Sequence, residues 1–361
     1  MNIRITLNKL LIYTFVQSRK LLKNCYPQLL AICGFFLLCG LVLILRGQNP
    51  LEFYTTILVS GFSSFDEFGS VLFNSTPLIF TGLAVAIGYQ CGLFNIGCEG
   101  QLYVAAFAAT LVGIYLYLPS ILLVPLCIGA AMIAGAVWGA VPGILKAKFG
   151  AHEVINTIMM NFIAVALTNF LVTSVYQEPN QMIPHTSKIY ENAMLSRLGS
   201  YIPYLPKSNL LNDSFVIACV CVVFCHIFLK YTRWGYELRL VGNAPDVAAY
   251  GGIKPGVVII WVMALSGAIA GLAGVSDVMG YRYRFLDSFS SGWGFTGIAV
   301  ALLGRNHPFG VFAAALLFGL LNKVALDIEL LLNVPRGLFL AGQGLLIIGL
   351  VSIESLKKKN K

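Results

Sequence analysis

From Val71 to Leu118 the chain carries one charged side chain, Glu99. A helix needs about 20 apolar residues to span the hydrocarbon core of a bilayer, so this run holds at least two crossings. The chain between them must turn without exposing unpaired backbone groups to lipid. The turn is legible as Gly92-Leu93-Phe94-Asn95-Ile96-Gly97-Cys98-Glu99-Gly100-Gln101, where glycines, amides and a carboxylate interrupt the apolar pattern. A carboxylate at membrane depth costs about 2.5–3.5 kcal/mol on insertion scales, so it faces protein or water. Two readings follow. The decamer is a polar joint lining a permeation pathway, with Phe94, Asn95, Glu99 and Gln101 on it, or it is a packing element. In the second case the glycines admit neighbouring helices and Glu99 takes a protein partner.

The rest of the chain fits the same class. Of 361 residues, 58% are hydrophobic and 11% charged, against about 25% charged in soluble domains. This specifies an all-α polytopic membrane protein, with about ten transmembrane helices ending at Pro335–Ile353. The net charge of +9 is read by position rather than as a nucleic-acid footprint. Basic residues gather at residues 1–26, after residue 145, between residues 230 and 254, and at 355–361, which puts both termini in the cytoplasm. The expected organisation is a basic interfacial arm (1–26), one transmembrane domain (27–354) with an exterior loop (177–213) and a cytoplasmic loop (231–254), and a basic tail. The nine cysteines lack metal-ligand spacing and read as small buried thiols.

Two spans read as short and glycine-broken, Pro77–Gln90 and Trp293–Gly304. They echo each other as Thr81-Gly-Leu-Ala-Val-Ala-Ile-Gly and Thr296-Gly-Ile-Ala-Val-Ala-Leu-Leu-Gly. Short interrupted segments in corresponding halves mark a substrate site at a repeat interface. The segment Pro255–Gly280 is rich in Gly, Ala and Ser, which allows close helix approach. In the cytoplasmic loop, Gly242-Asn243-Ala244-Pro245-Asp246 reads as a helix start, with Asn243 as cap and Pro245 in the first turn. Ala249 and Tyr250 close that short helix, and Gly251-Gly252 stop it. Such a helix suits a docking element for a cytoplasmic partner or a simple turn under the bundle.

At this point the residues carry a resemblance. Phe94-Asn95-Ile96-Gly97 with Glu99-Gly100-Gln101, the stretch from Gly143 to Asn161, Gly235-Tyr-Glu-Leu-Arg239 with Gly252-Ile253, Met263 to Gly274, and Gly294 to Gly304 together resemble permease subunits of bacterial nucleoside ABC importers. That group lies in the wider ribose and branched-chain amino acid permease family. The resemblance implies an inverted pseudo-repeat with discontinuous helices, and a dimeric core with a second permease subunit, identical or paralogous. It also implies a cytoplasmic ATP-binding subunit, an exterior substrate-binding lipoprotein and placement in the bacterial inner membrane. It makes Gly242, Asn243, Asp246, Ala249, Tyr250 and Gly251 the element that couples to the ATPase. Asn322-Lys323, with Asp327 one turn later, departs from the family's small and polar residues. Lys323 and Asp327 are spaced to pair at i, i+4, with Lys323 reaching toward the exterior interface.

The chain has no Gly-x-x-x-x-Gly-Lys-Ser/Thr loop, so ATP is expected on the partner subunit, with no cofactor or metal on this chain. Amides and aromatics expected on the pathway are Phe94, Asn95, Gln101, Asn156, Asn161 and Trp293, a set suited to a neutral polar ring compound. The alternatives are an ion-coupled secondary carrier using Glu99, a permease for a sugar such as ribose, and a membrane-embedded enzyme or assembly subunit.

Overall fold

The computed structural model describes residues 30, 32–45, 47–332, 337 and 341–345. The expected basic arm and tail, and most of the expected tenth span, lie outside them. Among the described residues the chain is helical, with two isolated β-bridges. It forms two compact units, one of the described residues up to Thr56 with those from Ile328, the other from Ile57 to Asp327.

The first unit contains α1 (Ile32–Leu45) and the start of α2 (Pro50–Phe62). Phe35, Cys39 and Leu43 are buried, and the Tyr54 hydroxyl donates to Phe36 O at 2.8 Å.

The second unit holds α3 (Phe65–Gln90), α4 (Cys98–Tyr115), α5 (Ser120–Phe149), α6 (Glu153–Ser174), α7 (Ser214–Tyr231), α8 (Arg233–Asn243), α9 (Pro245–Tyr250), α10 (Pro255–Asp277), α11 (Trp293–Leu303) and α12 (Pro308–Leu332, reaching just past the unit). Among the described residues, α3, α4, α5, α6, α7, α10 with its π-helical continuation to Arg282, and α12 are long and apolar enough to cross a membrane. The chain is a multi-pass membrane protein.

One expected boundary is wrong. The second span does not begin at Pro77; α3 starts at Phe65, where Ser64 Oγ accepts from Glu67 N at 3.2 Å. At 1.5 Å per residue α3 is about 39 Å long, enough to cross completely. Pro77 sits inside it. Hydroxyls of Ser75, Thr76 and Thr81 back-bond to the carbonyls of Val71, Leu72 and Pro77 on either side of it, as hydroxyls in helices can. Of these two segments α11 alone is short, so the expected pair of short helices is not formed. The echoing segments do pack together: a Cβ on Gly82 would lie 2.9 Å from Val300, and one on Gly297 2.6 Å from Thr81 Cβ.

Helix α10 lies at the centre, against α5, α3 and α4. Its small residues serve as the sequence suggests. Gly267 and Gly271 meet Gly135, Gly139 and Ala131 of α5 backbone to backbone, while a Cβ on Gly274 would lie 2.7 Å from the Ala106 side chain of α4. With a four-residue glycine spacing on both partners, α5 and α10 approach as closely as two helices can. The loop 177–213 is tied to the segment after α10 by Thr186 N→Phe285 O (3.0 Å), Ile189 N→Tyr283 O (2.9 Å) and Leu195 N→Met279 O (2.9 Å).

Lys323 of α12 pairs with Asp327 at 2.6 Å, as its spacing predicts. Its ammonium does not extend to the surface. It is buried, and also meets Glu67 of α3 and the carbonyl of Ser60.

Candidate functional site

The non-helical part of the expected joint is shorter than the decamer, since Cys98 to Gln101 already form the first turn of α4. The turn opens with Gly92 at φ +72. There its backbone lies against α8: a Cβ on Gly242 would stand 2.6 Å from Cys91 C and from Gln90 O. Gln90 Nε2 donates to Asn306 O, beyond the end of α11, at 3.1 Å. The ends of α3, α8 and α11 thus meet at one level.

From that level the chain re-enters the bundle. Asn95 closes a local turn, its Oδ1 accepting from Gly97 N at 2.9 Å. Its Nδ2 donates to Gln101 Oε1 at 3.0 Å and to Ser266 Oγ of α10 at 2.8 Å. Ser266 Oγ in turn donates to Ala84 O of α3 at 2.6 Å. Asn161 of α6 caps α4 from outside: its Oδ1 accepts from Gly100 N at 2.8 Å and its Nδ2 donates to Ile96 O at 2.9 Å. Free N–H groups of a helix's first turn need such acceptors.

Glu99 is in the first turn of α4, yet its Oε2 accepts from Gly294 N, in the first turn of α11, at 2.7 Å. One carboxylate therefore serves the positive ends of two helices. Gly294 is what permits this, because a Cβ there would lie 2.6 Å from Glu99 Cα. α11 spans about 16 Å at 1.5 Å per residue, so Glu99 lies roughly halfway through a 30 Å core from the level of Gln90. Asn95, Glu99, Gln101, Asn161 and Ser266 are all buried.

The remaining candidates stand around this network. Phe94 and Trp293 are half-buried, edge-on to Tyr89 at 6.3 Å and Phe289 at 6.0 Å respectively. Asn156 is about 140° around α6 from Asn161 and does not join them; its Nδ2 is buried without a partner. Sequence reasoning missed Ser266, Gly294 and Tyr103. Tyr103 packs on Phe289 at 4.7 Å and accepts from Ser290 N at 3.3 Å. With Phe285, Phe107 and Tyr176 these rings form a continuous file leading from Trp293 to loop 177–213.

The short helix expected in the cytoplasmic loop is present and exposed, but its cap is not. Asn243 is the last residue of α8 and donates Nδ2 to Arg239 O at 2.9 Å. Ala244 precedes α9 with no side-chain cap. Contact of Gly242 with Gln90 and Cys91 draws α8 on past the expected start. Pro245 does open α9, and Asp246 lies in its first turn. Gly252, at φ +81, provides the left-handed stop, while Gly251 has φ −77. Asp246, Ala249 and Tyr250 are exposed, Tyr250 at 94%.

Known proteins bear on this arrangement. The family described as branched-chain amino acid transport system / permease component matches residues 68–351. The guanosine ABC transporter permease protein NupP of Bacillus subtilis is 37% identical over 82% of this chain and 84% of its own. The nucleoside ABC transporter permease protein NupB of Lactococcus lactis is 36% identical over 82% of both. The glucose ABC transporter permease protein TsgB13 of Haloferax volcanii is 33% identical over 88% and 85%. A second permease from each organism also matches, at 29, 27 and 25% identity over 71, 71 and 70% of this chain and 81, 80 and 74% of theirs. No solved structure matches the chain.

Proposed function

The chain belongs to the family of branched-chain amino acid transport permease components, and from that premise we propose that it forms half of the translocation pathway of an ATP-driven nucleoside importer. The observation that carries the pathway reading is the meeting of the α4 and α11 N-termini on Glu99, half-way through the bundle. Paired helix ends at mid-depth are where transporters built from repeats hold their substrates. The nucleoside is supported by the relatives at 36–37% identity. A sugar is the second reading, favoured by the glucose permease at 33%.

In this proposal Asn95, Glu99, Gln101 and Asn161 hold the helix ends in register, while Phe94, Trp293 and Asn156 offer ring faces and an amide to the substrate. α9 receives a separate ATPase subunit, and this chain hydrolyses no ATP. The contact of Gly242 with Gln90 and Cys91 supports that role, because a shift of α8–α9 bears directly on the joint. A substrate-binding lipoprotein delivers from the side of loop 177–213, and both termini are cytoplasmic in the inner membrane. The second subunit is a paralogue: each of the three organisms above carries one permease nearer to this chain and one more distant.

The test is uptake of radiolabelled guanosine by vesicles holding this chain, its paralogue, the ATPase and the lipoprotein. ATP-dependent accumulation, blocked by excess nucleoside and not by glucose, is expected. Accumulation by the lone chain under a proton or sodium gradient would overturn the importer in favour of a carrier. Block by glucose alone would replace the nucleoside by a sugar.

A further inference from the structure

Where α7 ends and α10 begins, a cavity of about 220 Å³ opens between α8 and the first turns of α10. Arg233, Trp234 and Glu237 form one wall, Lys254, Val257 and Trp261 the other. The Trp234 and Trp261 rings meet edge to face, with centroids 5.5 Å apart. Trp234 is 58% exposed and Val257 57%, so the apolar side of the cavity is open along the outer face of a membrane-spanning helix. The level is set by the ends of two spans, where the chain leaves hydrocarbon for headgroups and where Trp and Tyr collect.

The charges sort in the same sense. Arg233 and Lys254 line the cavity. The opposing carboxylate is Glu237, engaged by Arg233 Nε at 2.7 Å, which leaves an excess of positive charge. Gly252, on the link into α10, has open space on its Cβ side, so a ligand can come up against the backbone. On α8, Trp234 and Tyr236 are both exposed.

We propose that this cavity binds the phosphodiester headgroup of an anionic phospholipid such as phosphatidylglycerol, entering sideways from the bilayer. Basic pockets at the membrane face take such headgroups, with the acyl chains left in lipid. Here Lys254 and Arg233 meet the phosphate, Trp234 and Trp261 cover the glycerol region, and Val257 meets the first methylenes. Gly251 and Gly252 bound the cavity where α9 ends, but Tyr250 does not line it, so an ATPase resting on the Tyr250 side chain need not fill it.

The test uses the full chain in nanodiscs of phosphatidylcholine with a minor share of phosphatidylglycerol, bromine being carried near the glycerol end of one lipid at a time. Trp138→Phe and Trp293→Phe leave Trp234 and Trp261 as reporters. At equal mole fraction, brominated phosphatidylglycerol is expected to quench severalfold more than brominated phosphatidylcholine. Arg233→Gln with Lys254→Gln is expected to erase the preference and Glu237→Gln to raise it, so the sign of the second variant decides if the first inserts poorly. Equal quenching by the two lipids, or a preference indifferent to these changes, overturns the site. Relief of quenching by low inorganic phosphate would assign the cavity to a soluble anion. Loss of the preference on adding the ATPase subunit would make it a docking face for that protein. Either result removes the lipid.

Discussion

The joint at Gly92–Gln101 and α9 are linked through Gly242 at the end of α8, yet they are built on opposite terms. In the joint Asn95, Glu99, Gln101 and Asn161 are buried, and each has a hydrogen-bond partner. In α9 the preceding residue makes no side-chain cap, and Val247, Ala249 and Tyr250 face outward. A six-residue helix is marginal in water without outside support. A buried, fully partnered network instead fixes one geometry. The difference teaches where this chain closes on itself and where, in the proposed importer, it waits for the ATPase, and the Gly92–Gly242 contact is the seam between the two.

The comparison is broken most severely by filling the space that holds the joint closed. Gly294→Val sets a branched side chain into the Glu99 backbone, where even a Cβ would lie 2.6 Å from Cα. Overpacking in a full core costs about 1–3 kcal/mol and more where backbone must move. The variant is expected to fail to accumulate as assembled complex in membranes. Gly129→Ala, with nothing within 4 Å of its Cβ, should accumulate normally. Equal levels of both proteins would show that α4 and α11 do not meet at Gly294.

A smaller step is Asn95→Ala. It removes the partners of Gln101, Ser266 and Gly97 N. An unsatisfied buried group costs about 1–3 kcal/mol, so the thermal midpoint of the purified complex should fall together with uptake. Glu99→Gln keeps an oxygen for Gly294 N and should lower the midpoint less. Loss of uptake in Glu99→Gln without loss of stability would move Glu99 from a helix-end partner to a transport group.

The two regions were legible to different degrees, for reasons the contacts make plain. Asn95, Glu99, Gln101 and Asn161 stood out because polar side chains in an apolar run must find partners. Ser266 and Gly294 did not, because in glycine-rich helices they read only as packing residues. The start of α3 was written in Ser64-x-x-Glu67, a capping-box spacing, but Pro77 drew the boundary inward. Nothing local reveals that three hydroxyls back-bond around that proline. Lys323 shows the same limit, since Asp327 is visible at i, i+4 whereas Glu67 and Ser60 arrive only through the fold.

The other side of the comparison predicts function lost without stability. Tyr250→Glu places a charge on a side chain that is 94% exposed. Surface changes of this kind stay within about 0.5 kcal/mol, so the thermal midpoint should hold. Pull-down of the ATPase subunit and substrate-stimulated ATP hydrolysis should both drop. Normal association would put the docking surface elsewhere.

The smallest expected effect sharpens the comparison most. If Asn243 capped α9, replacing it by alanine would cost about 1 kcal/mol of helix stability. In the structure it ends α8 instead, and its side chain makes one exposed bond to Arg239 O. Losing that bond is offset by alanine's better helix propensity, a difference of up to about 0.7 kcal/mol. Asn243→Ala should therefore leave the thermal midpoint, ATPase association and uptake all close to wild type. The measurement that matters is substrate-stimulated ATP hydrolysis in the assembled complex. A marked fall there, with the isolated chain unchanged, would mean that ATPase binding shortens α8 and lets Asn243 turn to cap α9. Gly242 would then be free to leave Gln90 and Cys91, and the seam between the closed and the waiting region would itself be the moving part.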